Sequence, residues 1–226
     1  MTADGAAGAA GTRVVLRPLA TPLPLGFLAL ALATTMFSAV QLGWIDADQG
    51  RVASYTALFA TVPLQLLASV FGFLSRDPVA ATGMGILSGT WAIAGLTTLT
   101  NPPGAASQGL GVLLIVAGAA MFVPAVVALS SKIVPAAVMG LAGTRFIVTG
   151  VYELTSSSAW KATAGWVGVA LAALALYAAL ALELEGGQEK TVLPLGRRGP
   201  GRSAMAGEGP LAPEELVEEA GVRPQL

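Results

Sequence analysis

Two charged side chains eight residues apart in an otherwise apolar run, Arg145 and Glu153, are the groups in this 226-residue chain best placed to do chemistry. In a hydrocarbon solvent such charges are expensive, so each is kept for function or for a specific pairing. On a helix starting at Ile133, Arg145 lies about 18 Å along the axis, near or just past mid-bilayer; Glu153 is about 12 Å further on and roughly 80° around. The two do not easily meet directly. The functional reading is that Arg145 attracts a carboxylate or other small anion, while Glu153 takes up and releases a proton near the outer mouth. The structural alternative has Arg145 bonded to carbonyls of a neighbouring helix and Glu153 solvated at the boundary. Uncharged polar groups complete the inventory: Thr34, Ser38 and Gln41 form a narrow stripe, with Gln65, Ser88 and Thr90 on later segments. Such a stripe faces a bundle interior, where it serves a conduit or interhelical hydrogen bonds.

Histidine and cysteine are absent. That removes thiol nucleophiles, disulfides, Cys/His metal sites and imidazole bases, and with no paired intramembrane carboxylates it leaves an enzyme poorly supported and no cofactor or metal expected. Net charge is -1, so nothing argues for a nucleic-acid partner. Hydrophobic residues make up 54% and charged residues 11%, against roughly 25% charged in a soluble domain. The partner is therefore a lipid bilayer.

The elements that must position the polar groups are six apolar segments: Pro24 to Trp44, Val52 to Leu74, Val79 to Leu99, Gln108 to Leu129, Ile133 to Leu154 and Ala162 to Leu182. At ~1.5 Å per residue each spans a ~30 Å hydrocarbon core as a helix. Alternating polarity over ten-residue stretches, the mark of a barrel, is missing. The expected fold is all-α, a polytopic bundle of six transmembrane helices in residues 24–185, preceded by a polar leader over 1–23. Short links make consecutive helices antiparallel neighbours. With a cytoplasmic N-terminus, nine of the twelve Lys and Arg residues face inward, Arg51 and Lys161 face outward and Arg145 lies within, so both termini are expected to be cytoplasmic. Residues 186–226, rich in Gly, Pro and Glu, read as a mobile cytoplasmic tail.

Small residues such as Gly83, Gly111, Gly118, Gly143 and Gly168 suit close helix packing, and Pro63, Pro124 and Pro135 suit kinks. Of the four tryptophans, Trp44, Trp91, Trp160 and Trp166 sit mainly near segment ends; Trp44 and Trp160 fit an interfacial belt.

Several short motifs then fall in order along the chain. Thr21-Pro22-Leu23-Pro24-Leu25-Gly26 resembles the Asn-Pro-Ala-Pro-Leu-Gly opening of the acetate uptake transporter family. Phe59 to Ser69, with Gln65 and Ala68, resembles that family's Phe-Gly-Gly…Gln…Ala-Gly stretch. Ala164-Gly165-Trp166-Val167-Gly168 and Leu176 to Leu180 resemble its last helix, and Thr191-Val192-Leu193-Pro194-Leu195-Gly196 its Thr-Val-Leu-Pro-x-Gly. Thr21 replaces the opening Asn, Thr61 and Val62 replace the paired glycines, and Arg76-Asp77-Pro78 replaces Gly-Asn-Thr.

The resemblance implies a permease for acetate or a similar small monocarboxylate, proton-coupled, in a bacterial plasma membrane, assembled as a homo-oligomer, a hexamer. It also implies a mid-membrane constriction, placed by register at Leu30, Leu87 and near Phe122 or Val123. An aliphatic gate excludes water but offers no hydroxyl to a carboxylate. Arg145, where the family is expected to be apolar, compensates in this reading. The alternative is a non-transporting membrane partner or sensor that kept the fold.

Overall fold

The computed structural model describes residues 20–188 and 190–199. Within them lie six helices long and apolar enough to cross a membrane: α1 Leu23–Gln41, α2 Ala47–Leu74, α3 Pro78–Thr100, α4 Gln108–Leu129, α5 Ile133–Thr155 and α6 Ser158–Gln188. Helices are the expected answer, since hydrocarbon offers no partner to a backbone N–H or C=O outside its own segment. Residues 1–19 of the leader, residue 189 and the tail from residue 200 onward lie outside the described residues.

Boundaries follow local chemistry. Asp77 caps α3, its Oδ1 accepting from Ala80 N at 3.0 Å, and Pro78 enters at the first helical position where no N–H is needed. Ser107 caps α4 through Leu110 N. Only two residues separate α5 from α6, because Ser156 takes a left-handed conformation at φ 53° and reverses the chain there. α6 runs beyond the expected Leu182, since Glu183 and Glu185 continue the helix at the membrane surface.

In α2 the run Thr56–Thr61 is a π-turn, with Val62 N–H donating to Ala57 O. Pro63 has no N–H and its ring would press on the carbonyl four residues back, so the wider turn accommodates it. The register after the turn places Thr61, Gln65 and Ser69 on one inward face. Thr61 Oγ1 donates to Ala29 O (2.8 Å), Gln65 Nε2 to Gly26 O (3.4 Å) and Ser69 Oγ to Ala81 O (2.6 Å). That ladder ties α2 to α1 and α3.

Each helix packs on its neighbours in sequence and α1 closes against α6, making a six-membered ring. The tightest seam joins α4 to α5. A Cβ on Gly118 would stand 2.6 Å from Gly143 O, and one on Gly150 would stand 2.7 Å from Gly111 O. The pairs lie seven residues apart on both helices, so two antiparallel backbones touch twice, two turns apart.

Both described ends of the chain emerge on one face, and there residues 190–199 depart from the expected mobile tail. Val134 N donates to Leu195 O (3.2 Å), Ile133 N to Gly196 O (3.1 Å) and Arg198 N to Ser131 O (2.9 Å). The strap thereby satisfies first-turn donors of α5, which no side chain caps. Glu185 pairs with Arg197 and accepts from Thr191 Oγ1, while Tyr177 donates to Pro194 O. Lys132 lies under the strap, where burial first and the Arg197 charge second hold its ammonium below the usual lysine range.

Leu195 is only 1% exposed. Leu195→Ala should release the strap, at about 2–5 kcal/mol for a buried Leu. Trypsin cleavage after Lys190 in detergent should then speed up markedly, against a wild-type chain cut slowly there.

Candidate functional site

Between the helices, on the face opposite the chain ends, lies a cavity of about 110 Å³. Its walls come from α1, α3, α4 and α5, and its mouth from the start of α2 around residues 47–51 and the loop at 101–105. The volume is several times the ~10–15 Å³ that admits one water. Arg145 forms the floor with Gln41, Trp91 and Phe146, and Glu153 and Lys161 stand nearer the mouth.

The Arg145 side chain is 2% exposed and makes no ion pair among the described residues. Its Nη2 donates to Ser38 Oγ at 3.2 Å, Gln41 Oε1 at 3.3 Å and Thr34 O at 3.5 Å. All three acceptors are neutral and on α1, and the bonds are longer than the ~2.7–2.9 Å of a charge-assisted pair. Nε has no partner. Trp91 supports the cation with its ring centroid 5.8 Å from Cζ, and Trp91 in turn packs on Phe37 (5.3 Å) and edge-on against Phe146 (5.8 Å). A buried guanidinium thus rests on a dipolar cradle and an aromatic wall, its positive charge unmatched.

The cradle depends on Gly168 of α6. A Cβ there would overlap Ser38 Oγ and Arg145 Nε, and stand 2.9 Å from Arg145 Nη2. The absent side chain is the space in which the guanidinium lies.

Of the stripe, Ser38 and Gln41 meet Arg145 through their side chains and Thr34 only through its backbone carbonyl, its Oγ1 having no partner, so the arginine bonds a neighbouring helix and also lines an open cavity. Glu153 lies in the cavity wall, with Oε2 accepting from Ser107 N at 2.7 Å, so it is anchored to the start of α4. Gln65, Ser88 and Thr90 are elsewhere. Gln65 bonds α1, Ser88 Oγ donates to Val62 O (3.0 Å), and Thr90 Oγ1 donates to Ile86 O in its own helix (2.7 Å). Hydrocarbon gave these groups no other acceptor, and backbone carbonyls took them.

Leu30 and Leu87 are fully buried. They follow Gly26 and Met84, which touch, by four and three residues on α1 and α3, and those helices run in the same direction. Both belong to the buried apolar cluster, each one turn before Thr34 or Trp91 on its own helix, on the side of the cavity floor away from the mouth. Phe27, Met84, Met121 and Met139, all fully buried, extend this apolar layer. Phe122 does not join it. It is 39% exposed, and its ring lies over Gly143, with Cε2 3.4 Å from the point a Cβ would occupy. The inward face of α4 is set by Gly111, Leu114, Gly118, Met121 and Ala125, so the inward position belongs to Met121.

Trp91, Phe37, Phe146 and Gly168 had gone unrecognised as parts of a site. The available signal was position: Trp91 is the fourteenth residue of a 23-residue helix, too central for an interfacial belt.

Among the described residues, no three His, Cys, Asp or Glu side chains gather to hold a metal. No curated protein matches the chain. A solved structure, that of the bacterial acetate channel SatP, is similar in fold: it superposes with a TM-score of 0.69 at 23% identity, over 79% of this chain and 99% of that one. The model of the GPR1/FUN34/yaaH family matches residues 5–194, continuous from the leader through all six helices to the Leu-Pro of the strap, and the chain belongs to that family.

Proposed function

We propose that this protein is a channel-like permease for acetate or a similar small monocarboxylate anion, carried inward across a bacterial plasma membrane with a proton. The observation that supports it most is Arg145: a buried guanidinium with only neutral partners, on the floor of an open cavity. A cation so placed attracts anions and repels cations. The family and the acetate channel of similar fold are consistent with such a cargo.

In this reading the anion enters past Lys161 and Glu153, sheds part of its water and exchanges it for the Arg145, Ser38 and Gln41 groups. It then crosses the layer of Leu30 and Leu87, which keeps the path dry until those side chains part. Glu153, held at the mouth by Ser107 N–H, is the group that takes up and releases the proton. The side with the chain ends is cytoplasmic, and the working form is a homo-oligomer, a hexamer, which cross-linking in native membranes would count.

The experiment is flux of labelled acetate, lactate and succinate into liposomes holding the purified chain, with and without an imposed pH gradient. Uptake of a monocarboxylate that accelerates when the outside is made acidic is the expected result. Absence of flux for every small anion would place the protein instead as a non-transporting partner or sensor. Leu30→Ala together with Leu87→Ala thins the apolar layer, and should raise acetate flux several-fold and add a proton leak visible with an internal pH dye.

A further inference from the structure

Resting on the anion-transport reading above, we infer that the cavity selects monocarboxylates longer than acetate, with an unbranched apolar tail, and that Trp91 is the residue that determines this preference. One end of the cavity recognises a single carboxylate. Arg145 lines the cavity floor and its hydrogen bonds go to neutral oxygens at 3.2–3.5 Å, so its charge is matched by one anionic group placed in the cavity.

Apart from Gln41, the rest of the floor is apolar. Trp91, Phe37 and Phe146 form a connected aromatic wall beside the guanidinium, and Leu114 and Ala94 continue it toward the mouth. A carboxylate on Arg145 directs its tail along that wall. The methyl of acetate fills little of a 110 Å³ space, whereas each further methylene lies along the wall and is itself removed from water.

A second carboxylate has no counterpart at that depth. Among the described residues the other cations lining the cavity are Arg51 and Lys161, both at the mouth, where Asp48 and Glu153 stand with them. Along α5 the mouth at Glu153 is about 12 Å from Arg145, beyond the length of succinate. The far carboxylate of a dicarboxylate would lie unpaired against aromatic rings, at high desolvation cost.

The test measures half-saturation for labelled acetate, propionate, butyrate and succinate in liposomes holding the full chain. Half-saturation should fall roughly fourfold per added methylene, about fifteen-fold from acetate to butyrate. Succinate should compete at least about tenfold more weakly than butyrate. Trp91→Ala should flatten the chain-length series to within about twofold, Trp91→Phe should keep most of it, and Leu114→Ala should reduce the gain at butyrate alone. Arg145-dependent acetate flux with no chain-length preference, with succinate preferred, or with a series that survives Trp91→Ala overturns the inference and leaves the permease reading standing. No flux of any carboxylate overturns both.

Discussion

Arg145→Leu is expected to abolish anion uptake while the protein still inserts and folds. Removing the charged partner of a desolvated ion typically loses about 2–5 kcal/mol, so transport should drop by roughly thirty-fold to several thousand-fold. Folding is spared for a reason visible in the site. The guanidinium is buried with no carboxylate partner and one orphan nitrogen, so its replacement removes a desolvation cost and breaks no ion pair. Ser38 Oγ keeps a backbone carbonyl of its own helix within reach, and Gln41 Oε1 faces the cavity, which is large enough to admit water to it. Arg145→Lys distinguishes charge from geometry: an ammonium keeps the positive sign but lacks the planar fork, and should retain partial uptake with weaker half-saturation. The measurements are liposome flux beside gel filtration in detergent, and full uptake by a correctly folded Arg145→Leu protein would remove Arg145 from the mechanism.

Gly118→Val should have the largest effect on the fold. The Cβ position alone would lie 2.6 Å from Gly143 O and 2.7 Å from Ile147 Cγ1, so the obstruction is partly backbone and cannot swing aside. Relief requires α4 and α5 to separate, and the second contact, Gly111 against Gly150, would open with them. The expected cost is at or above the upper end of the ~1–3 kcal/mol of ordinary overpacking. In lipid little opposes separation, because the helices are held by packing and hydrogen bonds rather than by exclusion from water. Because α5 carries Arg145, uptake should fall together with thermal stability in detergent. Gly89→Val, where a Cβ meets nothing within 4 Å, is the matched control and should leave both nearly unchanged. A Gly118→Val protein with wild-type melting behaviour would show that the close approach is not what holds the seam.

Much of this architecture was legible before any coordinates. Segment length and composition fix six crossings, since a backbone in hydrocarbon must bond within its own segment, and that bonding is local in sequence. The intramembrane position of Arg145 and the Thr34, Ser38, Gln41 stripe were legible in the same way, as polar groups standing out from an apolar background. The partner of the arginine was not, because its acceptors lie 104 to 111 residues away along the chain.

Rotation of each helix was the least legible quantity. In water the inward face announces itself by apolar periodicity, but when core and lipid are both apolar that contrast vanishes. Phe122 and Met121 look alike in sequence, yet one faces outward and the other is fully buried. The same ambiguity left Gln65, Ser88 and Thr90 open as path residues; helix pairing assigns Gln65 and Ser88 to carbonyls of neighbouring helices, and Thr90 bonds back to its own. Gly196 and its neighbours read as tail because their own composition builds no core, whereas they bind to one made by others.

The sequence by itself determined that this chain is a six-helix membrane protein with one deeply placed positive charge. Only the tertiary structure decided that the charge sits over Gly168, beside Trp91 and at the bottom of a cavity. The first depends on the solvent around each segment, a local property; the second depends on which faces meet, and the uniform greasiness that makes the helices recognisable hides those faces.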